Sequence, residues 1–398
     1  MKSVMIGLVG LALGACMGPP ASQHLFVWSG DPDSSDSDFL AVIDIDPASA
    51  TYGDVLATLP VGLSGRAHHS EHVMPEGGRL FVNAFGAGAS WVVNLADPLA
   101  PFVEASFENA GPYTHPHSFE RTPTGTVLAT FQYRGEGTSQ PGALVELDSL
   151  GNMIRASESA DPTDPELRPY SLTINPALDR VITTTSDMSM EYEGRSFQVW
   201  SLADLELLHT VLLPPGPRGD EHLNPAEPRF LDDGRTLIVT TFNCGMYVVR
   251  GVETDDIDVR LVYTLPQNVA EGEECGLPVQ SGKFWIQTVE KTESLVVFDL
   301  SDPDHPVVVD EFNPIAGGRP HWISKEPFGQ RIVLTGGGTL DGYVMLLEID
   351  PLTGALSHVD GFGDGSIPAA VSMNRATWPH GETGPAIPHG AVFSRPSG

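Results

Sequence analysis

The sequence predicts an all-β fold, a seven-bladed β-propeller closed by joining N-terminal strands to the C-terminal strand. Three observations carry that prediction. A unit of short strands and Pro/Gly/Asp turns recurs along the chain, and no long segment shows the 3.6-residue helical period. The two ends look like complementary parts of one further unit. With 42 Gly and 34 Pro among 398 residues, long helices are disfavoured and short strands joined by turns are favoured.

The clearest copies of the unit start at His69, His117, Tyr170 and His321, and each has a proline six residues on, Pro75, Pro123, Pro176 and Pro327. Each then enters a β-rich run: Leu80-Phe81-Val82, Val127-Leu128-Ala129, Val181-Ile182-Thr183 and Ile332-Val333-Leu334. A third strand follows, as in Trp91-Val92-Val93 and Phe197-Gln198-Val199. Two looser copies begin around Arg229 and Cys275. Successive starts are 46 to 59 residues apart, near the ~40–50 of known propeller repeats. Residues 24–29, 39–45 and 54–61 read as a blade lacking its first strand, and Pro388 to Phe393 reads as a first strand lacking its successors. Joining them closes the ring and hides two open sheet edges. The propeller is expected to span 24–398.

Residues 1–15 read as a signal peptide: Lys2 is the only charge before an apolar run from Val4 to Leu13. That run is too short for a permanent span. Leu13-Gly14-Ala15-Cys16 resembles a bacterial lipobox, so Cys16 is expected to be lipidated, with 16–23 as a tether. Met17 after the cysteine favours the outer membrane, with the body facing the periplasm or the cell surface. The chain has 52 Asp+Glu against 21 Lys+Arg, a formal net charge of −31. That balance excludes nucleic acid and polybasic lipid docking, leaving the anchor as the only membrane contact. Cys244 and Cys275 are the remaining cysteines, and in an oxidising compartment a disulfide is the expected state.

In such blades the first strand lines the channel. Reading its first position round the ring gives His389, His69, His117, Tyr170, Arg229, Cys275 or Gly276, and His321. Four histidines at one repeat position, on neighbouring blades, converge as metal ligands would, and imidazole suits copper, zinc, iron or nickel. The bland alternative is a polar channel plug. His68, His72 and His115 are nearby reserves whose strand alternation points them elsewhere. Glu227 and Arg229 face the cluster across the channel, where they orient a substrate or simply pair with each other. The acidic stretch Asp31 to Asp38 lacks the glycine and distal glutamate of a calcium-binding loop and reads as solvated. No nucleophile-elbow, P-loop or zincin motif is present.

These residues resemble the selenium-binding protein family, which includes copper-dependent methanethiol oxidases. His68-His69-Ser70 is similar to its His-His-Ser segment, and His117-Ser118 to its His-Cys segment. Pro225-Ala226-Glu227-Pro228-Arg229-Phe230-Leu231 is similar to its Pro-Leu-Glu-Ile-Arg-Phe-Leu segment, the most specific match. Asp299-Leu300-Ser301-Asp302-Pro303 and Gly384 to His389 resemble its Asp-Ile-Ser-Asp-Pro turn and its C-terminal Gly-Pro-Ala-Leu-Ala-His. The resemblance implies a seven-bladed propeller with histidine-bound copper, the ligands being His68 or His69, His117 and His389; His321 rests on the repeat alone. The family's cysteine-bearing segment after His-His-Ser is replaced by Glu71-His72-Val73-Met74, and no cysteine follows His117. The resemblance therefore does not extend to selenium held by those thiols. The expected function is oxidation of a small thiol or related substrate at the channel mouth. The alternative is a non-catalytic surface lipoprotein binding a metal, ligand or protein partner. A metal-dependent lactonase on the same fold would require carboxylate-rich ligands.

Overall fold

The computed structural model describes residues 22–265 and 275–396. The expected signal peptide, Cys16 and the tether up to residue 21 lie outside them. Among the described residues no helix is long and apolar enough to cross a membrane.

Seven antiparallel sheets form the blades, each entered through its innermost strand except the last. The inner strands of blades 1 to 6 are Ala67–Ser70, Tyr113–Arg121, Pro169–Asn175, Pro225–Phe230, Cys275–Ser281 and Gly318–Lys325. Blade 7 is made from both ends: Ile387–Phe393 lines the channel and pairs with His24–Gly30, followed by Phe39–Asp44 and Val55–Pro60. Leu25 sits opposite Phe393 and Val27 opposite Ala391, so the expected closure is the observed one. One departure lies in blade 6, whose outer edge is shared by two short strands, Leu356–His358 and Ala370–Ser372, on opposite halves of Tyr343–Ile349. Between Ala370–Ser372 and the closing strand, a small hairpin (Asn374–Arg375 with Gly384–Pro385) brings Trp378 against Phe39, 4.7 Å between rings.

Middle strands are apolar at consecutive positions because neighbouring blades cover both faces. Val127–Arg134 is buried up to its last residue, whereas the outer strand Met153–Glu158 of the same blade is largely exposed. This is why the second strands read as continuous apolar runs rather than alternating ones. The core accordingly consists of apolar clusters wedged between adjacent blades, the largest joining blades 5, 6 and 7.

Every inner strand carries one extra residue against its neighbour at the same height. In blade 2, Pro116 and Phe119 are three apart but face Phe131 and Ala129, two apart. The same slip occurs at Ala67/Ser70, Pro169/Leu172, Pro225/Glu227, Cys275/Pro278, Pro320/Trp322 and Pro388/Ala391. Such a β-bulge re-aims side chains and frees backbone groups from the ladder. At five junctions a polar side chain from one blade's second strand donates to a freed carbonyl on the next blade. Asn83 bonds the His117 carbonyl (3.0 Å), Thr130 that of Tyr170 (2.5 Å) and Thr184 that of Ala226 (2.6 Å). Thr288 bonds the His321 carbonyl (3.3 Å) and Thr335 that of His389 (2.7 Å). Blades 7 and 1 also approach closely where a glycine leaves room: a Cβ on Gly390 would lie 2.7 Å from the Ser70 amide nitrogen.

Substituting Thr335→Val keeps the shape and removes the donor, leaving the His389 carbonyl without it. Urea unfolding is expected to show a loss of about 1–3 kcal/mol, the cost of stranding a buried acceptor.

Candidate metal centre

The seven bulges place the channel histidines on one side of the axis. His68 and His117 face each other, Nε2 to Nε2, at 3.1 Å. His69 stacks on His68 with ring centroids 4.2 Å apart and stands edge-on to His117 at 4.3 Å. One ligand atom from each of His68, His69 and His117 falls within 4.8 Å of the others. His389 continues the group, 4.4 Å from His68, and His321 lies beyond it, 5.0 Å from His389. The tight set therefore contains both His68 and His69. Strand alternation alone would turn His68 aside, but the bulge between Ala67 and Ser70 lets consecutive side chains reach the channel. His72 stays outside the tight set: its ring stacks on Trp322 at 4.6 Å, and Trp322 in turn meets His69 edge-on at 5.0 Å. His115 stays outside the tight set, packing on Phe85 and Tyr133.

Hydrogen bonding settles one tautomer. His117 Nδ1 lies 3.0 Å from the Tyr170 carbonyl, which only accepts, so neutral His117 carries its proton on Nδ1 and its lone pair on Nε2. Burial holds the imidazoles neutral. It pushes His117 down to about 3, and it lowers His68, His69 and His389 well below the ordinary value, neighbouring imidazoles adding to the effect. His69 Nε2 and His389 Nδ1 are buried without a hydrogen-bond partner. Buried ring nitrogens of this kind are costly unless something else binds them. Neutral lone pairs, orphaned nitrogens and an imidazole-rich donor set together fit a first-row transition metal.

Sequence reasoning missed Glu290. It sits in the turn after the second strand of blade 5, and its Oε1 is 2.7 Å from His321 Nδ1. A carboxylate behind an imidazole fixes the ring and raises its basicity, as second partners of metal-binding histidines do. The available signal was its position, immediately after Phe284–Val289 and therefore at the histidine-bearing mouth.

Glu227 and Arg229 pair with each other, Oε2 to Nη2 at 2.6 Å. Arg229 Nη2 also donates to His72 Nε2 at 3.1 Å, crossing from blade 4 to blade 1. Glu227 is fully buried, and burial raises its pKa against the pull of Arg229 and a hydrogen bond from Ser171. Tyr170 packs its ring on His117 at 3.9 Å and on Phe242 at 5.4 Å. At the opposite mouth a cavity of about 680 Å³ is lined by Glu71, His72, Phe119, Glu120, Arg121 and Arg229 among others. Burial pushes Glu71 and Glu120 up to about 7. Cys244, in the turn before Gly245–Arg250, is bridged to Cys275 at the start of blade 5's inner strand, Cα atoms 5.3 Å apart.

No family model matches the chain. Methanethiol oxidase from Hyphomicrobium sp is 22% identical over 340 residues, covering 79% of this chain and 75% of that protein. A hypothetical selenium-binding protein from Sulfolobus tokodaii superposes with a TM-score of 0.76 at 16% identity, covering 94% of both chains. The resemblance to the selenium-binding protein and methanethiol oxidase family holds in sequence and in fold. The Pseudomonas aeruginosa periplasmic gluconolactonase shares the fold, with a TM-score of 0.67 at 14% identity, covering 94% of this chain and 99% of that one. Unlike the methanethiol oxidase likeness, that one is a likeness of architecture alone.

Each buried imidazole has a folded pKa below its unfolded value near 6.5, so below that pH the unfolded chain binds more protons. The stability tied to neutral His117 is complete above about 6.5 and drains away as pH falls toward about 3. The raised Glu71 and Glu120 act in the opposite sense, gaining stability as pH falls from about 7. Urea midpoints measured from about pH 7 to about pH 4 should therefore fall less steeply in His117→Asn than in the wild type.

Proposed function

We propose that the chain is an exported, lipid-anchored protein of the cell envelope that binds copper through its channel histidines and oxidises a small thiol with dioxygen. The observation that carries the reading is the facing Nε2 atoms of His68 and His117, 3.1 Å apart, beside the orphaned Nε2 of His69. Two imidazole nitrogens each about 2.0–2.1 Å from one zinc-sized ion lie about 3 Å apart. The similarity to methanethiol oxidase supports the thiol as substrate. Leu13-Gly14-Ala15-Cys16 supports the anchor, with the outer membrane as its place.

His68, His69, His117 and His389 would hold the metal, with His321 at the outer edge. Copper, when bound, supplies one-electron redox chemistry between thiol and dioxygen. The protein's own groups do the rest. The Tyr170 carbonyl holds the His117 proton on Nδ1 and so keeps Nε2 turned to the cluster. Glu290 fixes the ring of His321 in the same way from the other side. Glu227, with a proton affinity raised by burial, accepts or returns a proton at its carboxylate, and Arg229 orients it. In the overall change the C–S bond breaks and carbon is oxidised to an aldehyde whose oxygen comes from water. Sulfur leaves as sulfide, and dioxygen takes two electrons and two protons to become peroxide.

The test is elemental analysis of the mature chain, expressed in a periplasm and loaded with copper. About one copper per chain is expected, lost in His117→Ala and His389→Ala while circular dichroism shows the β-fold retained. Oxygen uptake on methanethiol should follow the copper content. Full metal in His117→Ala would sink the ligand assignment. No stoichiometric metal in the wild type would leave the imidazoles as a channel plug and make a surface binding module the better account. Glu290→Gln is expected to weaken copper binding by about 10–100-fold without removing a ligand, measured by competition with a chelator.

A further inference from the structure

We infer that Phe85 is a specificity-determining residue: its ring walls the histidine-bearing mouth beside the His68–His117 pair and limits the bulk a substrate can carry there. The inference rests on the thiol-oxidising reading above and extends it to a residue that takes no part in metal binding. The Phe85 centroid lies 5.9 Å from that of His68 and 5.7 Å from that of His117, almost equidistant from the two rings whose Nε2 atoms face each other. The residue is half-buried. His115 and Tyr133 extend the wall, 5.4 and 6.4 Å from Phe85, and 5.2 Å from each other. Tyr133 is itself fixed by a hydrogen bond from its hydroxyl to Asp187, 2.8 Å.

The wall is held by backbone, which is what makes a size limit sharp. Phe85–Ala87 is a single 3-10 turn closed by Gly88, whose amide donates to the Phe85 carbonyl at 3.0 Å. Gly88 has φ 63°, a left-handed conformation that glycine adopts without strain, and a Cβ there would touch the His115 ring at 3.6 Å. On the other side the turn presses on Gly65, where a Cβ would come within 2.6 Å of the Ala87 Cβ. Thus the turn is wedged between Gly65 and His115, and Phe85 has little backbone freedom to move aside for a larger guest. Sulfur packs favourably about 5 Å from an aromatic ring. A short alkyl group on a sulfur directed at the imidazoles would meet this wall, and each further methylene would press on it.

Dimethyl sulfide titrated into the metal-free mature chain and followed by NMR reads the contact without copper. A nuclear Overhauser effect between its methyl protons and the Phe85 ring is expected, with binding about tenfold weaker in Phe85→Ala. Equal affinity in the two proteins would overturn the inference. In the copper-loaded protein, Phe85→Ala should raise the kcat/KM of propanethiol relative to methanethiol about tenfold with copper content unchanged, and Phe85→Leu should move it less in the same direction. An unchanged ratio in both variants would equally overturn it. A wild type that oxidises neither thiol sinks the oxidase reading instead, and the NMR titration then decides the role of Phe85.

Discussion

The extra residue in each inner strand is the constraint on which the channel depends. A regular ladder would send alternate side chains into the blade packing and give each blade one orientation of residue toward the axis. The bulge turns consecutive residues inward, and blade 1 uses it to present both His68 and His69. Its cost is a carbonyl released from the sheet in a place water does not readily reach. Asn83, Thr130, Thr184, Thr288 and Thr335 satisfy that need from the neighbouring blade, and in doing so they tie the bulges to one another round the ring. The polar residues that interrupt otherwise apolar second strands thus belong to the site's scaffold. Closure of blade 7 by both chain ends is part of the same constraint, since His389 and His68 meet only when Ile387–Phe393 is paired with His24–Gly30.

Electrostatics follow from that packing. Gathering His68, His69, His117 and His389 in a closed channel makes their protonation unfavourable, first by desolvation and then by mutual repulsion. The result is a set of neutral donors, which suits metal ligation and leaves His69 Nε2 and His389 Nδ1 without a protein partner. Burial drives Glu71, Glu120 and Glu227 toward their protonated forms deeper in the channel and at the opposite mouth. Glu290 bonds His321 at the histidine-bearing mouth. The molecule is strongly acidic overall, yet its channel is lined by neutral imidazoles and by arginines already matched to carboxylates.

Much of the fold was legible in the sequence because a propeller blade is a local object. Runs such as Leu80-Phe81-Val82 and Ile332-Val333-Leu334 are apolar at consecutive positions since each strand is covered on both faces, and their spacing repeats with the blade. The same repeat position picked out His69, His117, His321 and His389, and two remaining cysteines in an expected oxidising compartment pointed to the Cys244–Cys275 bridge. The split outer edge of blade 6 escaped because Leu356–His358 and Ala370–Ser372 are short and lack a turn-strand pattern. His68 was turned the wrong way because alternation assumes an unbroken ladder, and nothing local in Ala67-His68-His69-Ser70 announces the slip.

The sequence by itself determined the ring of blades, the meeting of its two ends and the height at which histidines enter the channel, because these depend on short-range apolar patterns repeated seven times. Only the tertiary structure decided that His68 opposes His117, that Glu290 backs His321, that Arg229 reaches His72 and that Phe85 walls the mouth. The physical reason is that most of these contacts join side chains on different blades, from 31 to 157 residues apart along the chain. Their distances are set by how the bulged strands pack round a common axis, which no single repeat encodes.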